Sequence, residues 1–184
     1  SITGLNAGRL SIGRFLQSVL GMHGLEGGAS KLSAYCYGQQ HNDDGSHTYA
    51  SLSQGCAGKR VVDTGVQTFA DKVQGVRADR LDVFVDLSGY THSGSFSAIS
   101  EVEGVHFTSD VHRLMAVGVA PIHISWWGYT GTLGADFVHY VATDVVASPP
   151  EMREYYSENM FYLPGTTYLV SDHSISRQEV LLQH

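Results

Sequence analysis

Lysine, proline and cysteine are scarce in this chain of 184 residues. Only three lysines and 4 prolines occur, and 11 basic side chains stand against 18 acidic ones, for a formal net charge of -7. A protein that binds nucleic acid by neutralising phosphates needs a basic surface, so this composition argues against a nucleic-acid partner. No apolar run approaches the roughly 20 residues of a membrane-spanning helix, so no membrane partner is expected either.

The spacing of the cysteines and histidines supports neither a disulfide framework nor a metal site. The 2 cysteines, Cys36 and Cys56, form neither a disulfide framework nor a zinc pattern, which favours a reducing compartment. The 10 histidines occur singly, without the H-E-x-x-H spacing of a metal site. His106 falls in a stretch without a clean period, from Ser93 to Asp110, and His112 follows just after it; we interpret both as residues of a loop. We therefore expect no metal.

What the sequence does contain is the pattern of a folded α/β domain. Apolar residues make up 42% of the chain, and short apolar runs alternate with helical stretches, which predicts a mostly parallel sheet. Helical spacing predicts helices over 12–22 and 66–76. Ser148, as an N-cap with Glu151 three residues on, predicts a third helix with Met152, Tyr155 and Tyr156 on its apolar face. The predicted strands are Leu32–Tyr37, Lys59–Asp63, Leu81–Leu87, Pro121–Trp127, Phe137–Ala142 and Met160–Leu163.

Polar or glycine-rich segments follow three of these strands, where open α/β sheets bind their ligands. They are 88–94, 127–134 and 143–144. Each has a plain structural interpretation as well: a polar turn, a structural loop, and an aspartate (Asp144) that caps a turn. The glycine spacing matches neither the dinucleotide-binding fingerprint nor the P-loop, and no G-x-S-x-G elbow occurs. These residues alone predict only an α/β domain with a glycine-rich ligand edge.

Residues 120–136, A-P-I-H-I-S-W-W-G-Y-T-G-T-L-G-A-D, resemble the protein O-GlcNAc transferases, whose pattern there is approximately A-P-I-Q-x-x-W-x-G-Y-P-G-T-x-G. Residues 87–91 resemble that family's N-G-Y-T. Residues 144–158 resemble T-D-x-x-x-S-P-x-E…Y-S-E. The resemblance extends over residues 9–173.

The resemblance implies a Rossmann-like three-layer lobe of a GT-B type glycosyltransferase. Such an enzyme moves N-acetylglucosamine from UDP-GlcNAc to Ser or Thr hydroxyls of protein substrates, without a metal or cofactor, in the cytoplasm or nucleus. Residues 1–184 resemble only the amino-terminal catalytic lobe, and most donor contacts belong to a second lobe. The implied substrate-binding residues are Tyr90, Thr91, Trp127, Gly128, Tyr129 and Thr130.

Several positions depart from the family pattern. Leu10 stands where the family has an active-site histidine, and Thr130 replaces the proline of G-Y-P-G. We expect the strand that precedes this histidine segment in the family to be missing, and residues 94–112 to be a loop insertion. Leucine cannot take a proton, so we expect no turnover from this chain alone. Because the sequence begins with Ser1 rather than Met, we also expect it to be a fragment.

Two other functions stay open. The related protein O-fucosyltransferases, which use GDP-fucose, carry a similar pattern, although typically with G-H-T where Tyr90 stands. A non-catalytic paralogue that acts as a protein-interaction module is favoured by Leu10 and by the apparent insertion.

Overall fold

The computed structural model describes residues 2–3, 33–38, 58–61, 68–87, 89–90, 100–102, 105–107 and 110–167. Within these residues, seven strands form one sheet in which every pair of neighbours is parallel. In chain order the elements are β1 (Ile2–Thr3), β2 (Tyr35–Gly38), β3 (Gly58–Val61), α1 (Phe69–Ala78), β4 (Val83–Asp86), β5 (Ser100–Val102), β6 (Val105–Phe107), α2 (Asp110–Ala116), β7 (Ile122–Trp126), β8 (Tyr140–Thr143), a 3₁₀ helix (Pro150–Tyr155) and β9 (Asn159–Tyr162).

The strand order places a switch point in the middle of the sheet. The order is β3-β2-β1-β4-β7-β8-β9, so the chain builds outward in one direction from β1 and in the other from β4. Ligands of open α/β sheets bind beyond the carboxyl ends of the strands, near such a point. Asp86, Trp126 and Thr143 end three neighbouring strands. We call this side of the sheet the carboxyl edge.

Both α-helices pack against the sheet face that carries the fully buried Phe84. Thr68 and Asp71 form a capping box at the start of α1, with backbone and side-chain bonds in both directions. The buried Lys72 of α1 donates to Asp110 of α2 at 2.5 Å, which ties the two helices together. Apolar packing therefore covers this face, and an ion pair links the two helices.

The predicted α/β class is confirmed, and all six predicted strands form, each within a few residues of its expected bounds. The helix predicted over 66–76 is α1. The helix predicted over 12–22 lies outside the described residues.

Three predictions about local structure were wrong. Ser148 does not cap the third helix, because Pro149 intervenes as its N-cap; the segment is a 3₁₀ helix without a side-chain cap. Of its predicted apolar face, Met152 and Tyr155 are exposed. The stretch taken as a loop contains the antiparallel β5–β6 pair, and α2 begins at Asp110.

The strand expected to be missing ahead of the histidine segment is present as β1, so that prediction was wrong. It lies between β2 and β4, pairing Ile2 with Cys36 on one side and with Val85 on the other. Two residues are too short for a periodic signal, so only the pairing of its neighbours reveals it.

Candidate functional site

The turn after β4 brings Tyr90 to the carboxyl edge. Gly89 adopts a positive φ of 51° and donates its N–H to the Asp86 carboxylate at 3.0 Å. The Tyr90 hydroxyl donates to the Leu133 carbonyl at 2.6 Å. The Tyr90 ring meets the Tyr129 ring edge-to-face, with centroids 5.3 Å apart. Tyr90 therefore joins the end of β4 to the glycine-rich loop that follows β7.

The end of β7 is a strained turn. Trp127 has a φ of 76°, and the Gly128 N–H donates to the Trp126 carbonyl at 3.0 Å. This hydrogen bond between residues two apart is that of a γ-turn, which with a positive central φ is rare. Strain of this kind costs about 1–3 kcal/mol and persists only where the surroundings hold it. Here the Trp127 side chain is buried and its ring stacks on Trp126 at 5.6 Å.

Glu158, the residue before β9, holds the glycine-rich loop of residues 127–134 in place. Its carboxylate is almost fully buried and accepts from the Thr132 hydroxyl at 2.7 Å and from the Leu133 N–H at 2.6 Å. The Tyr129 ring packs over Gly131, where an added Cβ would lie 3.1 Å from Cε1 of that ring. The loop is therefore held by Glu158 from outside and by the Tyr129 ring from within.

A shallow cavity of about 20 Å³, open to solvent, lies at this edge between β7 and β8. Two of its polar members are bonded to each other, the Thr143 hydroxyl donating to Ser148 Oγ at 2.8 Å. The Tyr156 hydroxyl lies 3.2 Å from Ser148 Oγ and donates to the Thr130 carbonyl at 3.0 Å. The mixture of aromatic rings and hydroxyls suits a small polar ligand with an apolar face. The lining residues are Trp127, Tyr129, Thr130, Val141, Ala142, Thr143, Ala147, Ser148 and Thr167.

The protonation of two groups follows from their surroundings. Burial, with smaller contributions from Tyr129 and Glu158, raises the pKa of the Tyr90 phenol, so the phenol stays a neutral donor at physiological pH. Backbone N–H groups, led by those of Thr167 and Ala147, lower the pKa of Asp144. Asp144 also accepts from the Val146 N–H at 2.8 Å, so it caps the turn after β8, the structural role considered for it from the sequence.

The structure brings most of the predicted substrate-binding residues together. Trp127, Tyr129 and Thr130 line the cavity. Gly128 lies in the γ-turn between them, and Tyr90 packs on Tyr129. Thr91 and Leu10 lie outside the described residues.

Three residues around this site were missed by sequence reasoning. They are Asp86, His112 and Glu158, all buried. Glu158 stands in the Y-S-E segment of the resemblance, which could have indicated it. The sequence predicted that His112 lies in an irregular loop. In the structure it lies in α2, and its ring contacts the Tyr90 ring, with centroids 5.2 Å apart.

In the part of the chain that the structure describes, no three His, Cys, Asp or Glu side chains converge to hold a metal ion. None of the described helices is long and apolar enough to cross a membrane.

Comparisons with known proteins agree on one family. The profile of glycosyl transferase family 41 matches residues 7–182. A probable UDP-N-acetylglucosamine–peptide N-acetylglucosaminyltransferase from Arabidopsis thaliana is 25% identical over 174 residues, which are 95% of this chain and 15% of that protein. A UDP-N-acetylglucosamine–peptide N-acetylglucosaminyltransferase from Caenorhabditis elegans is 27% identical over 159 residues, 86% of this chain and 12% of that protein.

Among solved structures, a mutant O-GlcNAc transferase from Thermobaculum terrenum superposes with a TM-score of 0.65 at 22% identity, covering 91% of this chain and 28% of that chain. This likeness concerns the fold. The chain thus spans about an eighth to a sixth of the relatives' length. Since the family profile covers nearly all of the sequence, the chain belongs to glycosyl transferase family 41.

Proposed function

We propose that this chain is part of a GT-B type enzyme that transfers N-acetylglucosamine from UDP-GlcNAc to Ser or Thr hydroxyls of proteins. Its residues 1–184 supply part of the amino-terminal catalytic lobe. The observation that carries the proposal is the cavity at the carboxyl edge, lined by predicted substrate-binding residues in a chain of family 41. The names of the two relatives support the choice of donor and of peptide acceptors. A cytoplasmic or nuclear location is part of the proposal.

The aromatic and hydroxyl groups of the cavity suit a sugar. A face of the half-buried Tyr129 ring can pack on the apolar side of a pyranose ring, and the exposed Thr130 hydroxyl can bond a sugar hydroxyl. The Tyr90 hydroxyl donates its proton to the Leu133 carbonyl. The phenol oxygen of Tyr90 can therefore still accept a hydrogen bond from a hydroxyl of the ligand. Thr91 remains a predicted substrate-binding residue on the strength of the family resemblance alone.

The chemistry of the proposal needs no metal or cofactor from this lobe. The charge of the UDP leaving group has no cationic partner in the cavity, whose lining residues are uncharged. We assign its stabilisation to a second lobe outside these 184 residues. Leu10 stands at the family histidine position and offers no proton acceptor. The chain alone is therefore expected to bind a sugar weakly and not to turn over.

The test is a donor titration of the purified chain with backbone amide resonances as the readout. UDP-GlcNAc or N-acetylglucosamine should shift the resonances of Trp127, Gly128 and Thr130. Resonances of Tyr155, an exposed aromatic on the 3₁₀ helix, should not move. Labelled GlcNAc should not reach an acceptor peptide above a heat-killed control. Transfer above that control would overturn the predicted inactivity, and absence of any shift would overturn the sugar site.

The same titration separates the two alternatives. GDP-fucose shifting these resonances at lower concentration than UDP-GlcNAc would indicate the protein O-fucosyltransferase reaction. Leu10 favours a non-catalytic interaction module. That function requires that neither donor binds and that restoring Leu10→His in a two-lobed parent protein gives no transfer.

A further inference from the structure

A buried carboxylate and a buried imidazole lie beneath Tyr90, and the proposed function uses neither. Asp86, the last residue of β4, has no exposed surface. His112 enters from α2 with a side chain only 6% exposed, and its Nε2 lies 3.4 Å from Asp86 Oδ2. Burying such groups is costly unless they face polar or charged partners, and these two face each other.

The same carboxylate oxygen also controls the backbone that leads to Tyr90. Asp86 Oδ2 accepts the Gly89 N–H at 3.0 Å. Gly89 immediately precedes Tyr90, and its φ of 51° sets the direction in which the chain leaves the sheet. One oxygen atom thus holds the turn from which the Tyr90 side chain projects.

The imidazole of His112 contacts the side chain of Tyr90. The His112 and Tyr90 rings meet edge-to-face, with centroids 5.2 Å apart and planes at 75°. On its other side the Tyr90 ring meets Tyr129, at 5.3 Å and 89°. Tyr90 is 39% exposed; among the described residues its ring contacts the rings of His112 and Tyr129, and its hydroxyl donates to the Leu133 carbonyl.

We propose that Asp86 and His112 are positioning residues for Tyr90. Asp86 fixes the backbone turn through Gly89 and holds His112, and His112 fixes the location of the Tyr90 ring at the carboxyl edge. The assignment of a sugar as the ligand whose site this ring shapes rests on the proposed function. The location of the Tyr90 ring is independent of the proposed function.

The positioning is tested in the 184-residue chain with 3-fluorotyrosine placed at position 90 and read by ¹⁹F NMR. The folded chain should give one resonance displaced from its position in urea. His112→Gln, which removes this ring contact, should move the resonance at least halfway to the urea position. Asp86→Asn, which removes the charge while keeping an acceptor for Gly89, should move it in the same direction by less.

His139→Gln is the matched control, because His139 is also a partly buried imidazole bonded to a backbone group, here the His123 N–H at 2.9 Å. It should leave the fluorine resonance unchanged. An unchanged resonance in folded His112→Gln, or an equal shift in His139→Gln, overturns the proposal. If His112→Gln does not fold, Asp86→Asn decides alone, and no movement in that variant overturns it.

A measurement of sugar binding distinguishes this proposal from the proposed function. With N-acetylglucosamine as the probe, His112→Gln should bind at least 5-fold more weakly than the parent chain, whereas His139→Gln should bind equally. If the parent chain binds no sugar, the proposed function fails while the fluorine result still decides the positioning. If sugar binds equally to parent and His112→Gln, the positioning has no role in recognition, and that part of the proposal is overturned.

Discussion

The backbone of Gly89 lies directly against the side chain of Tyr129. A Cβ placed on Gly89 would be 2.2 Å from the Tyr129 Cβ and 2.8 Å from Cγ of the ring. The turn after β4 and the loop after β7 therefore interlock at this point, and only a glycine fits. Because Tyr129 lines the cavity, this contact sets how closely the turn after β4 approaches the loop that borders the cavity.

Gly89→Ala is expected to destabilise the fold by about 2–4 kcal/mol, the sum of a left-handed backbone and an overpacked contact. Gly118→Ala is the matched control. Gly118 also has a positive φ, 66°, but nothing lies within 4 Å of an added Cβ, so the cost there is about 1–2 kcal/mol. Urea unfolding of both variants measures the difference. Equal losses would contradict the steric role of Tyr129.

Glu158→Ala is expected to destabilise the fold by about 2–5 kcal/mol, because it leaves the Leu133 N–H and the Thr132 hydroxyl without their buried acceptor. Glu158→Gln keeps one acceptor oxygen and should cost less. Glu154→Ala, in an exposed position of the 3₁₀ helix, should stay within about 0.5 kcal/mol of the parent. Thermal unfolding of the three variants tests the ranking, which a loss in Glu154→Ala as large as that in Glu158→Ala would contradict.

His123 should make stability fall on mild acidification. Its Nδ1 lies 2.7 Å from the Phe137 carbonyl, so Nδ1 carries the proton, and Nε2 is buried without a partner among the described residues. Burial lowers the pKa of His123 below 6.5, with a smaller contribution from His139. The unfolded chain therefore binds a proton first, and stability is lost as the pH falls below about 6.5, by at most about 1.4 kcal/mol per pH unit.

The variant that tests this is His123→Gln, which carries the residue found at this position in the family pattern. Its amide can still donate to the Phe137 carbonyl, but it does not titrate. Unfolding free energies measured between pH 5 and pH 7.5 should slope less for His123→Gln than for the parent chain. Parallel slopes would show that His123 takes its proton in the folded state as readily as in the unfolded state.

Asp144 should govern stability at lower pH. Its pKa is lowered by backbone N–H donors, so its contribution is present above the unfolded value near 3.8 and is lost as the pH falls through the folded value. Asp144→Asn is expected to be less stable than the parent at pH 7, with the difference vanishing in acid. Asp136→Asn, at an exposed position, is the control and should follow the parent curve. A difference that persists at pH 2 would contradict an electrostatic origin.

Much of the sheet could be predicted because its strands are short apolar runs closed by glycine, polar residues or proline. Leu81–Leu87 contains β4, and Pro121–Trp127 contains β7. Asp144 was likewise considered as a cap, since an aspartate after a strand commonly satisfies turn amides. The signals that worked were local in the sequence.

The misses have a common physical cause, which is that tertiary contacts decided the outcome. Ser148 carried a capping pattern, yet its hydroxyl bonds Thr143 and the helix begins after Pro149. His112 lay in a segment without periodicity, and its importance follows from Asp86, which is distant in sequence. The strain at Trp127 has no sequence signature at all, because glycine would be expected at its φ of 76°.

The short strand β1 has a consequence for how the chain folds. Ile2 and Thr3 bridge β2 and β4, so the sheet is continuous only after the beginning of the chain has met residues around Val85. Parallel pairing across such sequence distances is slow, because the entropy of closing the long connection is lost before the contacts form. Within the described sheet, every other pair of neighbouring strands is closer in sequence than β1 and β4. We therefore expect the pairing of β1 with β4, which joins the two halves of the sheet, to be the slowest pairing to form.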